Sequence, residues 1–179
     1  MAASAIRDVN TARFAILAGV IVALISQIVL TLLFTGVAGL ALPPATAAPN
    51  TFNWSVFMLW ALAGIIAAGF GGYATGWVLG RASEWDAGII AFIGWAVAIL
   101  LVTFFGAIAA NSGSNLLRAF VSPAYGYFSA DAATAAARRA ASIASLASVI
   151  ALVLGAAAAI AGSIAATEEP NSGSGRRRR

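Results

Sequence analysis

The chain of 179 residues contains no cysteine, no histidine and no lysine. Without cysteine it can form neither a disulfide nor a thiolate site, and without histidine it lacks a common ligand of zinc and haem. Charged residues make up only 9% of the chain. Because nucleophile–base pairs and clustered metal ligands are also missing from the sequence, we expect no cofactor and no metal site, and we predict that the chain is not an enzyme.

Apolar residues are abundant instead: they make up 61% of the chain, and the mean hydropathy is +0.94. Such values lie outside the range of soluble globular domains. A bilayer core of about 30 Å needs about 20 apolar residues in a helix, and four stretches reach that length, at about 11–40, 55–80, 87–110 and 141–166. The sequence therefore predicts an all-α fold, an integral membrane bundle of four transmembrane helices that forms a single domain over residues 1–168.

The ends of these helices have local signals. Pro43 and Pro44 stop the first helix, because proline supplies no amide donor and disfavours a helical residue before it. The six residues 81–86 join the second and third helices as a tight antiparallel hairpin, so these two helices should be neighbours. We expect Glu84 and Asp86 to compensate the positive N-terminus of the third helix rather than to act as an acid–base pair.

The segment before the last span, residues 116–128, is too short to cross a membrane and rich in aromatic residues. We predict that it lies at the membrane interface, where aromatic rings with a polar edge accumulate. It could meet the outer leaflet, bind a protein partner, or fold back over Trp54 and Phe57. The candidate interfacial or partner-binding residues are Phe120, Tyr125, Tyr127 and Phe128.

The helix that follows should begin near Ser129 and continue to about residue 167, longer than a bilayer requires. Arg138 and Arg139 in its first turns should therefore lie among lipid headgroups. Residues 169–179 are predicted to be a flexible basic tail. We expect this tail to bind anionic lipids at the cytoplasmic face rather than nucleic acid, since no aromatic residues interrupt its basic run. The residues concerned are Arg176, Arg177, Arg178 and Arg179.

Arginine near the span ends predicts the orientation, because cytoplasmic loops carry the excess of basic residues. With both termini in the cytoplasm, seven arginines lie inside (residues 7, 13, 81 and 176–179) and three lie outside (residues 118, 138 and 139). We therefore expect the N and C termini to be both cytoplasmic.

Small residues at a spacing of four allow helix backbones to approach closely in lipid, where the hydrophobic effect does not drive association. Every span carries such a row, and the row of the second span contains the most glycines. Gln27 is the only strongly polar side chain near the middle of a span, and we expect it to hold helices together by hydrogen bonding rather than to bind a substrate. The candidate helix-packing residues are Gly19, Gln27, Gly64, Ala68, Gly72, Gly76, Gly80 and Gly155.

The glycine run at residues 69–72 in the second span has two interpretations. It could unwind the helix, as in the substrate sites of some transporters. The favoured interpretation is a crossing point where another helix comes close.

The order of these features resembles a known family. The residues that carry the resemblance are the first-span stretch 13–19 (RFAILAG), the second-span stretch 60–73, the sequence Asp86-Ala87-Gly88 after the short link, and the opening of the last span at Arg138-Arg139. They are similar to small bacterial inner-membrane proteins of unassigned function, sometimes labelled "PhnA-like". The resemblance covers about 13–122 and 138–165 and implies a stand-alone membrane domain. It carries over no catalytic or binding residue to this chain. The chain departs from the family pattern at Gly88-Ile89, where a polar residue or histidine often follows the glycine.

From these features we expect a non-enzymatic integral membrane protein with a structural or accessory role, either an assembly subunit or a homo-oligomer. The alternative is a small transport or channel component. A transport role would need a polar path, for which the sequence supplies only Gln27 and a few hydroxyl groups.

Overall fold

The computed structural model describes residues 2–41, 54–80, 82–112 and 135–172. This part of the chain forms four helices and no strand: α1 (Ala2–Ala41), α2 (Trp54–Leu79), α3 (Glu84–Ser112) and α4 (Ala135–Ser172). Each helix contains a segment long and apolar enough to cross a membrane, namely Val9–Phe34, Phe57–Leu79, Glu84–Phe105 and Ser145–Thr167. Within this part of the chain, the prediction of an all-helical fold with four such helices is confirmed.

Three helices extend beyond the predicted spans, and α3 does so only slightly, as Glu84–Ser112 instead of about 87–110. α1 begins at Ala2 rather than near residue 11, and α4 continues to Ser172 rather than ending near residue 166. Hydropathy reports which residues can lie in lipid, whereas a helix continues for as long as its backbone hydrogen bonds do. The aromatic segment 116–128 and the arginines 176–179 lie outside the described residues.

The link between α2 and α3 is built from two local devices. Gly80 ends α2 with a positive φ of 64°, and its amide donates to the Gly76 carbonyl over 2.9 Å. Ser83 caps α3, because its hydroxyl oxygen accepts from the Asp86 amide at 3.1 Å and its hydroxyl donates to the Asp86 carboxylate at 2.7 Å. Asp86 and Glu84 both lie in the first turn of α3, where negative charge is favourable.

The helix directions follow from the contacts along α2. Thr75, near the end of α2, lies against Ala15, near the start of α1, so these two helices are antiparallel. α2 and α4 are parallel, because residues later in α2 contact residues later in α4: Gly72 lies against Ala159, and Gly76 lies against Ser163. Both described chain ends therefore lie at the same end of the bundle as the α2–α3 link.

α2 is the central helix. It packs most extensively on α1 and α4, while α3 makes smaller contacts with the other three helices. α2 and α3 are neighbours, as the hairpin predicts, but their shared contact is the smallest of these. The short link alone therefore does not decide which helices pack most closely.

Small and large apolar side chains are distributed differently between the interior and the surface of the bundle. Among the side chains that the structure describes, the buried apolar ones are mostly alanines, for example Ala15, Ala63 and Ala87, each with no exposed surface. Large apolar side chains point outward instead, such as Trp77 and Leu146, which are 71% and 69% exposed. Water would penalise such a surface, whereas hydrocarbon does not, so this distribution suits a chain surrounded by lipid.

Burial is also uneven along the bundle. We call the half that contains Ala15, Thr75, Ala87 and Ser163 the link half, and the opposite half the far half. Among residues whose side chains are described, α1 has no buried residue after Val20, α3 has none after Ala98, and α4 has none before Gly155. Only α2 has buried residues in both halves, from Phe57 through Gly76. The tight core therefore lies in the link half.

Candidate functional site

The contact between α1 and α2 is made by backbone meeting backbone. A methyl group added at Gly71 would lie 2.7 Å from the Gly19 carbonyl oxygen and 2.7 Å from the Ala23 Cβ atom. A methyl group added at Gly19 would in turn lie 2.8 Å from the Gly71 carbonyl oxygen. These distances are shorter than real Cβ contacts, so both positions need glycine for the helices to approach this closely.

Thr75 adds a hydrogen bond to the same contact. Its side chain is only 1% exposed, and its hydroxyl oxygen lies 3.0 Å from the Gly71 carbonyl and 3.3 Å from the Ala15 carbonyl. The hydroxyl has a single hydrogen, which is shared between a carbonyl of its own helix and one of α1. Thr75 therefore joins α2 to α1 through a polar contact inside an apolar environment.

The adjacent face of α2 meets α4 in the same manner. A methyl group added at Gly72 would lie 2.7 Å from the Ala159 Cα atom, and one added at Gly76 would lie 2.9 Å from the Ser163 Cα atom. Gly162 of α4 is in turn packed closely against α2, because a methyl group there would lie 3.0 Å from the Tyr73 backbone nitrogen. Glycine on both helices thus places α4 directly on α2.

Ser163 joins α4 to α3. Its side chain is fully buried, and its hydroxyl donates to the Ala87 carbonyl over 3.0 Å. One turn earlier on α4, the side chain of Ile160 lies against Gly88, at 3.4 Å from the position of an added methyl group. The start of α3 is therefore fixed to α4 as well as to the link.

Six of the predicted helix-packing residues lie at contacts between helices: Gly19, Gly64, Ala68, Gly72, Gly76 and Gly155. Gly80 does not. A methyl group there would meet no atom within 4 Å, and its positive φ shows that it terminates α2. The prediction that Gly80 packs against a helix is therefore wrong. It followed from the spacing of four alone, and that spacing cannot distinguish a glycine that ends a helix from one that packs against a neighbour.

Gln27 differs from expectation in its hydrogen bond. Its amide nitrogen donates to the Thr31 hydroxyl on the same helix, over 3.2 Å, and not to another helix in the described part of the chain. Gly64 of α2 makes room for the amide, whose oxygen lies 3.4 Å from the position of an added methyl group there. Gln27 therefore packs on α2 without hydrogen bonding to it.

The glycine run at 69–72 is a crossing point, and the unwound alternative is wrong, since α2 is helical through all four residues. Gly71 faces α1, while Gly69 and Gly72 face Gly162 and Ala159 of α4. Two helices thus meet α2 within one turn.

Sequence reasoning missed a second row of small residues on α2, formed by Ala63, Ala67, Gly71 and Thr75, all of which are buried. Its spacing of four was visible, but the row lies one residue before the row that begins at Gly64. Two adjacent rows indicate a helix with two packed sides, and this signal would have identified α2 as the central helix.

No chemistry beyond packing is apparent in the described ranges. No group of three or more acidic side chains could hold a metal ion there, and every buried side-chain nitrogen or oxygen atom there has a hydrogen-bond partner. Comparison with protein-family models, with curated proteins and with solved structures finds no match to this chain.

Proposed function

We propose that the chain is a non-enzymatic integral membrane protein of the bacterial inner membrane with a structural or accessory role, as an assembly subunit or a homo-oligomer. The observation that carries the proposal is how the buried polar groups are used. Thr75 and Ser163, the largest fully buried side chains in the described residues, hydrogen bond to backbone carbonyls of neighbouring helices. Their hydroxyl hydrogens therefore hold helices together.

A transport role would require polar groups directed toward a path through the bundle. Thr167, the third buried polar side chain among the described residues, also donates to a backbone carbonyl, that of Ile164 at 2.8 Å. Around these groups the space between helices is occupied by backbone contacts at Gly71, Gly72 and Gly76. This combination supports a packed scaffold over a solute path in the link half.

We further propose that the link half lies toward the cytoplasm. Both described chain ends and the α2–α3 link share that end of the bundle, and seven of the ten arginines belong to the sequence segments on that side. The tail arginines 176–179 would then bind anionic headgroups of the inner leaflet. Membership of the "PhnA-like" group remains a prediction that rests on the residues quoted for it.

Cysteine labelling tests the orientation cleanly, because the chain has no cysteine of its own. A Glu84→Cys variant should react with a membrane-impermeant maleimide only after the inner membrane is opened. An Asn50→Cys variant should react from the periplasmic side in intact spheroplasts. Labelling of position 84 from outside, or protection of position 50, would contradict the proposed topology.

The role itself is tested by reconstitution into vesicles of phosphatidylethanolamine and phosphatidylglycerol. We expect proton, potassium and chloride gradients to decay as slowly as in protein-free vesicles, while native mass spectrometry of the chain in mild detergent shows defined complexes. Gradient decay that rises in proportion to the amount of protein, and that Thr75→Val alters, would favour a channel and overturn the proposal.

A further inference from the structure

Two tryptophans near the α2–α3 link are the most exposed large apolar side chains among the described residues. Trp85, in the first turn of α3, is 77% exposed, and Trp77, near the end of α2, is 71% exposed. Tryptophan combines a large apolar ring with an N–H donor, and it accumulates where hydrocarbon meets lipid headgroups. A partner for these two rings has to lie outside the bundle.

Trp77 of α2 lies at the same level of the bundle as Arg13 of α1. The Thr75 hydroxyl lies 3.3 Å from the Ala15 carbonyl, and these two helices are antiparallel. Trp77 is two residues beyond Thr75 toward the link, and Arg13 is two residues beyond Ala15 in the same direction. The Arg13 side chain is exposed as well.

Trp85 of α3 lies at this level too. Gly76 of α2 and Ala87 of α3 both contact Ser163 of α4. Trp77 is one residue beyond Gly76 toward the link. Trp85 is two residues beyond Ala87 in the same direction, so the two tryptophans lie within one helical turn of each other along the bundle. We call the level of Trp77, Trp85 and Arg13 the link level.

Charge marks the link level independently. Among the side chains that the structure describes, the only charged ones are Arg13, Glu84 and Asp86, and all three are exposed near this level. A charge in hydrocarbon is costly, so hydrocarbon should end here. The apolar segments Phe57–Leu79 and Glu84–Phe105 have 23 and 22 residues. A bilayer core of about 30 Å needs about 20 residues and therefore fits between the link level and the far end.

We propose that the headgroup layer of a phospholipid leaflet surrounds the bundle at the link level. The indole N–H groups of Trp77 and Trp85 and the guanidinium of Arg13 donate to carbonyl and phosphate oxygens of the lipids. α1 continues from Arg13 back to Ala2, so about 16 Å of this helix extends beyond the hydrocarbon. The inference rests on the proposed integral membrane protein and adds where one boundary of the bilayer lies.

Spin labelling of the full chain in nanodiscs of phosphatidylethanolamine and phosphatidylglycerol tests this boundary. Trp77→Cys and Phe70→Cys are a matched pair, because both positions are exposed and lie seven residues apart on one face of α2. A label at position 77 should collide with a water-soluble nickel chelate about threefold more often than a label at position 70, which lies about 10 Å deeper. Oxygen, which concentrates in hydrocarbon, should show the reverse order. Trp85→Cys and Phe92→Cys give the same comparison on α3, where both positions are also exposed.

Tryptophan fluorescence tests the native rings. One variant keeps only Trp85 and another keeps only Trp95, with the remaining tryptophans replaced by phenylalanine. Trp95 is half-buried and ten residues further along α3, so it lies about 15 Å deeper than Trp85. In vesicles of the same two lipids, bromine placed on the acyl chains near the headgroup should quench Trp85 more strongly than bromine placed near the chain ends. Trp95 should show the opposite order.

Preferential contact with oxygen at positions 77 and 85, or stronger quenching of Trp85 by the deep bromine, would overturn the inference and leave the membrane placement intact. Frequent contact of the nickel chelate with positions 70 and 92 as well would contradict the proposed integral membrane protein, and the boundary with it.

Discussion

The two halves of the bundle differ in what lies between their helices. In the link half, backbones touch directly at Gly72 and Ala159, and buried hydroxyls of Thr75 and Ser163 join neighbouring helices. In the far half, three of the four helices have no buried side chain among those described. Close packing stabilises membrane helices through dispersion and hydrogen bonding, so we infer that the link half holds the fold together.

The largest effect is expected from Gly72→Leu in the link half. The side chain would collide with the backbone of Ala159, so the free energy of unfolding should fall by about 3 kcal/mol or more. Gly36→Leu is the matched control, because a methyl group there meets no atom within 4 Å. That variant should be neutral or slightly stabilising, since leucine favours helix over glycine by up to about 1 kcal/mol. Unfolding in mixed micelles measures both, and equal losses would refute the packed face.

A second pair of variants compares how tightly the two halves are packed along a single row of small residues on α4. Ala159 is 2% exposed in the link half, whereas Ala147, on the same row, is half-buried in the far half. Ala159→Leu should lower the unfolding free energy by about 1 to 3 kcal/mol through overpacking. Ala147→Leu should change it little. If Ala147→Leu proved the more damaging variant, the far half would be the tighter one.

A smaller effect is expected from removing the Thr75 hydroxyl. Thr75→Val keeps the shape but loses the hydrogen bond to α1, which should cost about 1 kcal/mol. Thr103→Val, at an exposed position in the far-half part of α3, is a control for the chemical change in lipid. Calorimetry of both variants in nanodiscs would measure their stabilities. A Thr75→Val protein as stable as the parent would show that the hydroxyl does not stabilise the core.

The sequence predicted the helical class and the spans well, because apolar length is a local property. It also identified Gly72 and Gly76 as packing residues, since a spacing of four is visible without a structure. It could not tell that Gly80 ends a helix, or that Ser163 donates to Ala87, because the first depends on a backbone angle and the second on two positions far apart in the chain.

The smallest effect is expected at the α3 cap. Ser83→Ala removes the acceptor for the Asp86 amide, at an exposed position, and should cost about 0.5 to 1 kcal/mol. Ser83→Asp, which can also cap, should restore most of the loss. Urea unfolding in detergent resolves the series, and an alanine variant indistinguishable from the parent would show that the link needs no cap.

The difference between the halves is tested most directly by electron–electron distance measurements between spin labels on α1 and α4. Cysteines at Phe14 and Ala165, both exposed in the link half, form one labelled pair, and cysteines at Leu32 and Leu146, both exposed in the far half, form the other. In nanodiscs holding one chain each, we expect a narrow distance distribution for the first pair and a clearly broader one for the second, since fewer contacts restrain it. Equally narrow distributions, or a broader link-half pair, would contradict the conclusion that the bundle is held together from the link half.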